Sequence, residues 1–306
     1  KKAADIVVPI PERGILEEIV AQTHLPSGQI QKVDRRSQKR NSEGLKLSFS
    51  SVQKGARLVW RSKVKVQPLL GIPPAGVLSF TSPLPVKKSR FQVIGQRSHK
   101  LSAKVTGGNG DALKTTKSSN KRVSSLLLSG PLSGAGKFAF STIHSWEKLS
   151  RSVFSKISLE LAKCAKHLLP KIKLSGEPDK RFLQAIGRLN ATCAMTGSRP
   201  SPLVRAAIIK KALSKKNEEC DLFLVAPAKG PFAKEIPSLS QFSDAIIKCG
   251  GKWYYPGLPP TAPGAIPQKI AGGKLLRVSS KNGDLAGHLP GRERAERLLD
   301  ELNVRI

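Results

Sequence analysis

The hydrophobic pattern of this chain changes character near its midpoint. After Trp146, apolar residues recur at helical spacing. Trp146, Leu149, Val153, Ile157, Leu161, Cys164 and Leu168 follow one another by steps of three or four, which puts them on one face of a helix. Lys148, Arg151, Lys156, Lys163 and Lys166 fall largely off that stripe, and Pro170 ends it. A second helix is predicted from Pro178 through Phe182, Ile186, Leu189 and Cys193 to Gly197, with proline in its first turn and glycine just past its end. A third opens at Ser201-Pro202 and ends near Lys215, a cap followed by a first-turn proline. Leu222 to Ala226 then reads as a buried strand, Leu239 to Cys249 as a helix closed by Gly250-Gly251, and Trp253 to Tyr255 as another strand. That order predicts a βαβ unit with parallel strands. Residues 256–273 read as a Pro/Gly-rich loop, Lys274 to Ser280 as a returning strand, and Arg292 to Asn303 as a last helix carrying Ala295, Leu298, Leu299 and Leu302.

The first half shows weaker alternation. Ile15-Leu16-Glu17-Glu18-Ile19-Val20 has the spacing of one or two helical turns, and residues 27–48 are polar and basic, as in a loop or extended arm. Leu58 to Val66 is the best strand candidate: from Ser62 on, polar or cationic residues alternate with valine, so one face can pack while the other meets phosphate. Val77 to Phe80 and Phe91 to Ile94 are further strand candidates, held short or to an edge by Pro68, Pro73, Pro74, Pro83 and Pro85. Residues 101–125, mostly Ser, Thr, Lys, Gly and Asn, read as a linker or a loop. The expected architecture is therefore α/β or α+β. Residues 1–140 form a long basic, Pro/Gly/Ser-rich extension with short strands, and residues 141–306 form a small mixed domain with several amphipathic helices.

Charge sharpens this picture. From Gly44 to Trp146 the chain has seventeen Lys or Arg and one acidic residue, Asp111. Lys and Arg outnumber Asp and Glu 26 to 8 in residues 1–150 and 27 to 13 in the remainder, for a net +32. A surface normally mixes charge signs, so a cationic stretch of this length points to an external polyanion, and a phosphate backbone is the first choice. Candidate RNA contacts are Arg35, Arg36, Lys39, Arg40, Arg57, Arg61, Lys63, Lys65, Lys87, Lys88, Arg90, Lys121, Arg122 and Lys137. Aromatic residues make up only 5%, too few for repeated base-stacking platforms, so contacts to backbone and shape are expected. No apolar run approaches the roughly 20 residues of a membrane span.

Catalytic signals are sparse. Leu126 to Phe138 is similar to the phosphate loop of nucleotide hydrolases. Pro131 stands where its first glycine belongs and Phe138 replaces the magnesium-binding hydroxyl, so the expectation is a flexible loop with Lys137 near phosphate. The carboxylates Glu218, Glu219, Asp221, Asp300 and Glu301 read as solvated faces, and His24, His99, His144, His167 and His288 are scattered. The cysteines at 164, 193, 220 and 249 lack metal-ligand spacing. They are expected to be buried reduced thiols on helix faces, in a reducing compartment. No catalytic residue, metal, cofactor or small-molecule substrate is predicted, and a non-enzyme is expected.

The segment from Leu203 to Tyr255 resembles small α/β RNA-binding modules of ribosomal proteins, and the turn Cys249-Gly250-Gly251-Lys252-Trp253 resembles that of BRCT domains. In type, the whole chain resembles lineage-specific ribosomal proteins of organelles. That resemblance implies a structural role in a ribonucleoprotein, a mitochondrial ribosome, with ribosomal RNA and neighbouring ribosomal proteins as partners. Mitochondrial localisation is expected also from the Lys1-Lys2 start without Met. Two alternatives stay open: a viral nucleocapsid, matrix or movement protein, and an RNA-processing enzyme whose site the sequence does not display.

Overall fold

The computed structural model describes residues 2–290 apart from residues 9, 11–13, 35–37, 42–43, 68–71, 73–74, 98–100, 108–112, 121–122, 169–173, 198–199, 215–218, 229–231 and 282. The expectation for Arg292 to Asn303 lies outside the described residues. The chain divides into two compact units, Lys1–His144 with Ala233–Ser240, and Ser145–Phe232 with Gln241–Ile306.

The first unit is antiparallel β throughout its described strands. One sheet has the order β1-β5-β4, from β1 (Lys2–Val8), β4 (Gln38–Asn41) and β5 (Gly44–Val52). A second has the order β3-β2-β6, from β2 (Gly14–His24), β3 (Ile30–Lys32) and β6 (Arg57–Val66). Leu47 and Phe49 are fully buried and share a cluster with Val8, Ala21 and Leu45, against which Leu16, Ile19, Leu58 and Trp60 pack. A third sheet is built on β10 (Val123–Ser141). It pairs along its whole length with β7 (Ala75–Gln96), and on its other edge with β8 (Ser102–Gly107) at one end and β9 (Lys114–Ser119) at the other. Leu126, Leu128, Phe138 and Phe140 form the buried side of β10. Its opposite side is covered at one end by residues 233–240. Ala233 and Ile236 pack with Ala139, the Ser141 hydroxyl donates to the Pro237 carbonyl, and Lys104 pairs with Glu235 at 3.2 Å.

The second unit holds the helices α1 (Trp146–Leu168), α2 (Pro178–Thr196) and α3 (Pro202–Leu213), beside a five-stranded sheet of order β13-β12-β11-β14-β15. Its strands are β11 (Cys220–Val225), β12 (Asp244–Cys249), β13 (Lys252–Tyr254), β14 (Lys274–Val278) and β15 (Leu285–His288). The three predicted helices in residues 146–213 are present. Leu149, Val153 and Ile157 of the predicted stripe are buried. The Ser201 hydroxyl caps α3 by accepting from the Val204 amide, and α2 ends at Gly197 with φ 65°.

The α/β expectation is overturned. Every strand pair among the described residues is antiparallel. The predicted βαβ helix is instead a short 3-10 turn, Leu239–Gln241, followed by β12, which pairs antiparallel with β11. Gly250 and Gly251 close a hairpin, both with positive φ (55° and 82°), as a two-residue primed turn requires. The resemblance of Leu203–Tyr255 to α/β RNA-binding modules therefore does not extend to topology. In the first unit, Ile15–Val20 is strand rather than helix. Residues 27–48 and 101–125 contribute β3, β4, the start of β5, β8, β9 and the start of β10 rather than an open arm and linker. The phosphate-loop look-alike is the interior of β10. Cys220 and Cys249 face each other across β11 and β12 and are joined by a disulfide. For these two residues this replaces the expected reduced thiols on helices, whereas Cys193 on α2 is a free, half-buried thiol. The disulfide removes the basis for a reducing compartment, since disulfides persist in oxidising ones.

Candidate functional site

The predicted cations of the first unit fall on two sheet faces. On β6, residues 57, 59, 61, 63 and 65 are exposed while Leu58, Trp60, Val64 and Val66 are half-buried. Alternation therefore puts Arg57, Arg61, Lys63 and Lys65 on one outward face. Directly paired residues in an antiparallel ladder share a face, so β2 sets their surroundings. Glu18 lies opposite Lys63, Val20 opposite Arg61, and His24 opposite Arg57. The Arg61 guanidinium donates to Glu18 at 3.0 Å, and the Lys63 ammonium pairs with Glu17 at 2.9 Å. The hydrogen bond from Lys63, then its charge, holds the Glu17 carboxyl below the usual range, with Lys65 adding to the effect. The same bond raises the Lys63 ammonium. Two of the predicted RNA contacts are thus neutralised by acids that stand more than 40 residues away in the chain.

The other face belongs to β9, β10 and β7. On β7, Lys88, Arg90, Gln92, Ile94 and Gln96 are exposed, and the intervening Ser89, Phe91, Val93 and Gly95 are half-buried. Three cross-strand rows run from β9 over β10 to β7: Lys114–Ser129–Arg90, Thr116–Leu127–Gln92 and Ser118–Ser125–Ile94. The Ser118 and Ser125 hydroxyls are hydrogen-bonded at 2.8 Å, which fixes both to this side. An extra β7 residue between the Gly130 and Leu132 positions of β10 bulges the strand at Lys87-Lys88, and both lysines are exposed. Among the described residues, no carboxylate stands within ion-pair distance of Arg57, Lys87, Lys88, Arg90 or Lys114.

The remaining predicted contacts divide as follows. Lys137 lies on β10 opposite Ser79 and Thr106, where burial lowers its ammonium pKa. Lys39 and Arg40 lie on β4, opposite Lys46 and Leu45. Arg35, Arg36, Lys121 and Arg122 are outside the described residues.

Sequence reasoning missed a polar network in the second unit. The Asp244 carboxylate opens β12 and is 8% exposed. Its Oδ1 accepts from the Tyr255 hydroxyl at 2.7 Å and from the Lys269 ammonium at 3.0 Å, and its Oδ2 from the exposed Ser243 hydroxyl at 3.1 Å. Lys269 also stands over the Tyr255 ring, 5.3 Å from its centroid. Burial pushes the Tyr255 phenol up. The Tyr255 hydrogen bond, against the opposing effect of burial, pushes Lys269 up, with Asp244 assisting. The loop after Tyr255 is held by Arg205 of α3, itself buried, which donates to the Pro256 carbonyl and to Asn190 Oδ1. A Cβ on Gly257 would lie 2.1 Å from the Tyr255 ring and hydroxyl, so this close approach admits only glycine. By contrast Asp221, weighed from sequence as a carboxylate, forms a bidentate bridge to Arg277 at 2.8 and 2.9 Å. Of the other weighed acids, Glu218, Asp300 and Glu301 lie outside the described residues. Asp244 carried no signal, because Tyr255 and Lys269 meet it only through the hairpin and the following loop.

The architecture is similar to the crystal structure of a protein from Parabacteroides distasonis provisionally named a protease. The TM-score is 0.56 at 13% identity, over 92% of this chain. The chain spans 63% of that protein's length. At this identity the likeness is one of fold. The sequence matches no protein-family model and no curated protein. The neighbour's name runs against the expectation of a non-enzyme, and that expectation is set aside.

Proposed function

We infer that the chain binds RNA through the first unit, as a structural component of a ribonucleoprotein. The observation behind this reading is the outward face of β9, β10 and β7, where Lys114 and Arg90 flank Ser129 in one row and Lys87 and Lys88 follow at the bulge, with no carboxylate paired to them among the described residues. Uncompensated cations on a folded sheet are held at fixed spacing, so they meet a phosphate backbone without the ordering cost that an open arm would carry. The net charge of +32 adds long-range attraction. Ribosomal RNA in an organellar ribosome is the polyanion to which the chain's composition points.

The test is titration of the whole chain into fluorescent RNA at several salt concentrations. Affinity falls steeply with salt, with a log–log slope of about −3 or steeper for four or more neutralised phosphates. A slope near zero, or the absence of binding at low salt, overturns the reading.

Catalysis is a second reading, favoured by the Ser243–Asp244–Tyr255–Lys269 network and by the name of the structural neighbour. The exposed Ser243 hydroxyl donates to the Asp244 carboxylate, which Tyr255 and Lys269 hold in place, a hydroxyl–carboxylate contact from which nucleophilic catalysis would start. A fluorophosphonate probe then labels the wild-type chain at Ser243 and leaves Ser243→Ala unlabelled. Equal labelling of both, or of neither, rejects this reading.

A further inference from the structure

We propose that the β9–β10–β7 face selects double-stranded RNA over single-stranded RNA and over duplex DNA. The proposal rests on the RNA-binding reading above and names the class of RNA. Three features of the face carry it.

The first is spacing. Lys114 and Arg90 belong to strands on either side of β10, and neighbouring strands lie about 4.8 Å apart, so the two cations anchor positions about 10 Å from each other. This spacing suits contacts to phosphates on separate ridges of a rigid duplex. A flexible single strand would have to be ordered to fit it.

The second is what lies between the cations. Ser129, Thr116, Ser118, Ser125 and Gln92 present hydroxyls and one amide on the same side. These groups donate and accept hydrogen bonds, as a ribose 2′-hydroxyl does, and the wide, shallow minor groove of A-form RNA displays those hydroxyls in rows. DNA lacks them. The third is that the large apolar side chains exposed among the described residues are Ile, Val, Leu and Met, with no aromatic ring. Single-strand binders combine a cationic groove with exposed rings on which bases stack. Here Val123, Leu127 and Ile94 are the apolar groups on the face, and none is a stacking platform.

The experiment compares one 20-residue sequence in three forms, as duplex RNA, single-stranded RNA and duplex DNA, bound to the full chain at one fixed salt concentration. Duplex RNA is expected to bind at least about tenfold more tightly than either competitor. The double variant Ser118→Ala/Ser125→Ala is expected to shrink the RNA-over-DNA ratio at least threefold while leaving DNA affinity unchanged. These substitutions sit on exposed strand positions, and a thermal melt confirms that the variant is folded. Single-stranded RNA binding as tightly as duplex RNA, or an RNA-over-DNA ratio unmoved in the folded variant, overturns the proposal. If none of the three nucleic acids binds, the RNA-binding reading itself fails, and the selectivity proposal falls with it.

Discussion

Two cationic faces of the first unit, β3–β2–β6 and β9–β10–β7, are made from similar residues and end with different electrostatics. On β6, Arg61 and Lys63 meet Glu18 and Glu17 because β2 brings Glu18 opposite Lys63 and carries Glu17 beside it at a bulge. On β7, Arg90 faces Ser129 and then Lys114, so the row ends in a second cation instead of a counter-charge. A linear count of lysines and arginines gives both strands the same weight. The ladder partner decides whether a cation is spent inside the protein or left for a ligand.

The largest expected effect separates the faces outright. Reversing Arg90 and Lys114 together to glutamate lowers RNA affinity by about a hundredfold at moderate salt, since two phosphate contacts turn repulsive. The same reversal at Arg61 and Lys63 changes affinity by about threefold or less. Equal losses in the two double variants, read by anisotropy on the same RNA, would erase the distinction. A smaller effect sharpens it. Glu17→Gln with Glu18→Gln releases Arg61 and Lys63, so RNA affinity rises by about three- to tenfold and the salt slope steepens by about one to two. Unchanged binding would mean that the β6 face is silent even when unpaired.

The smallest effect concerns pH. Glu17 is held below its ordinary value of 4.5, chiefly by the Lys63 hydrogen bond. Because the folded state binds its proton less readily, the stability it contributes is complete above that ordinary value and is lost as pH falls through the lowered one. Thermal melts of wild type and Glu17→Gln should therefore differ slightly at pH 7 and converge in acid. A gap that persists to pH 2 would place the effect of Glu17 outside its ion pair. Both groups are exposed, which keeps the contribution small.

The helices were legible because their signals are local. The Ser201 cap, the Pro178 start, the Gly197 stop and the stripe from Trp146 to Ile157 each sit within a few residues of what they control. The strands failed for definite reasons. A bulge between Leu16 and Glu18 shifts the alternation of β2 by one residue, which turns a period of two into an imitation of helical spacing. In β12, Asp244 to Ile247 are all buried, so the strand shows an apolar run that short-range periodicity cannot distinguish from a buried helix. In β9 every residue is exposed, and Lys-Thr-Thr-Lys-Ser-Ser owes its strand state to pairing with β10 rather than to any apolar face. The candidate site followed the same rule. The cations could be counted, but whether Glu17 or Ser129 would stand beside them depends on pairings that link distant parts of the chain.

Residues 233–240 carry a consequence for biosynthesis. Ala139 and Ser141 near the end of β10 are completed by Ala233, Ile236 and Pro237, which the ribosome delivers only after β11. A nascent chain paused after His144 would hold an unfinished first unit, with one end of its third sheet still open to water. Vectorial folding, with the amino-terminal unit sealed before its successor begins, is thus ruled out by topology. A truncation at residue 144 would inherit the same gap, so dissecting this protein calls for grafting the 233–240 strip rather than for a simple cut.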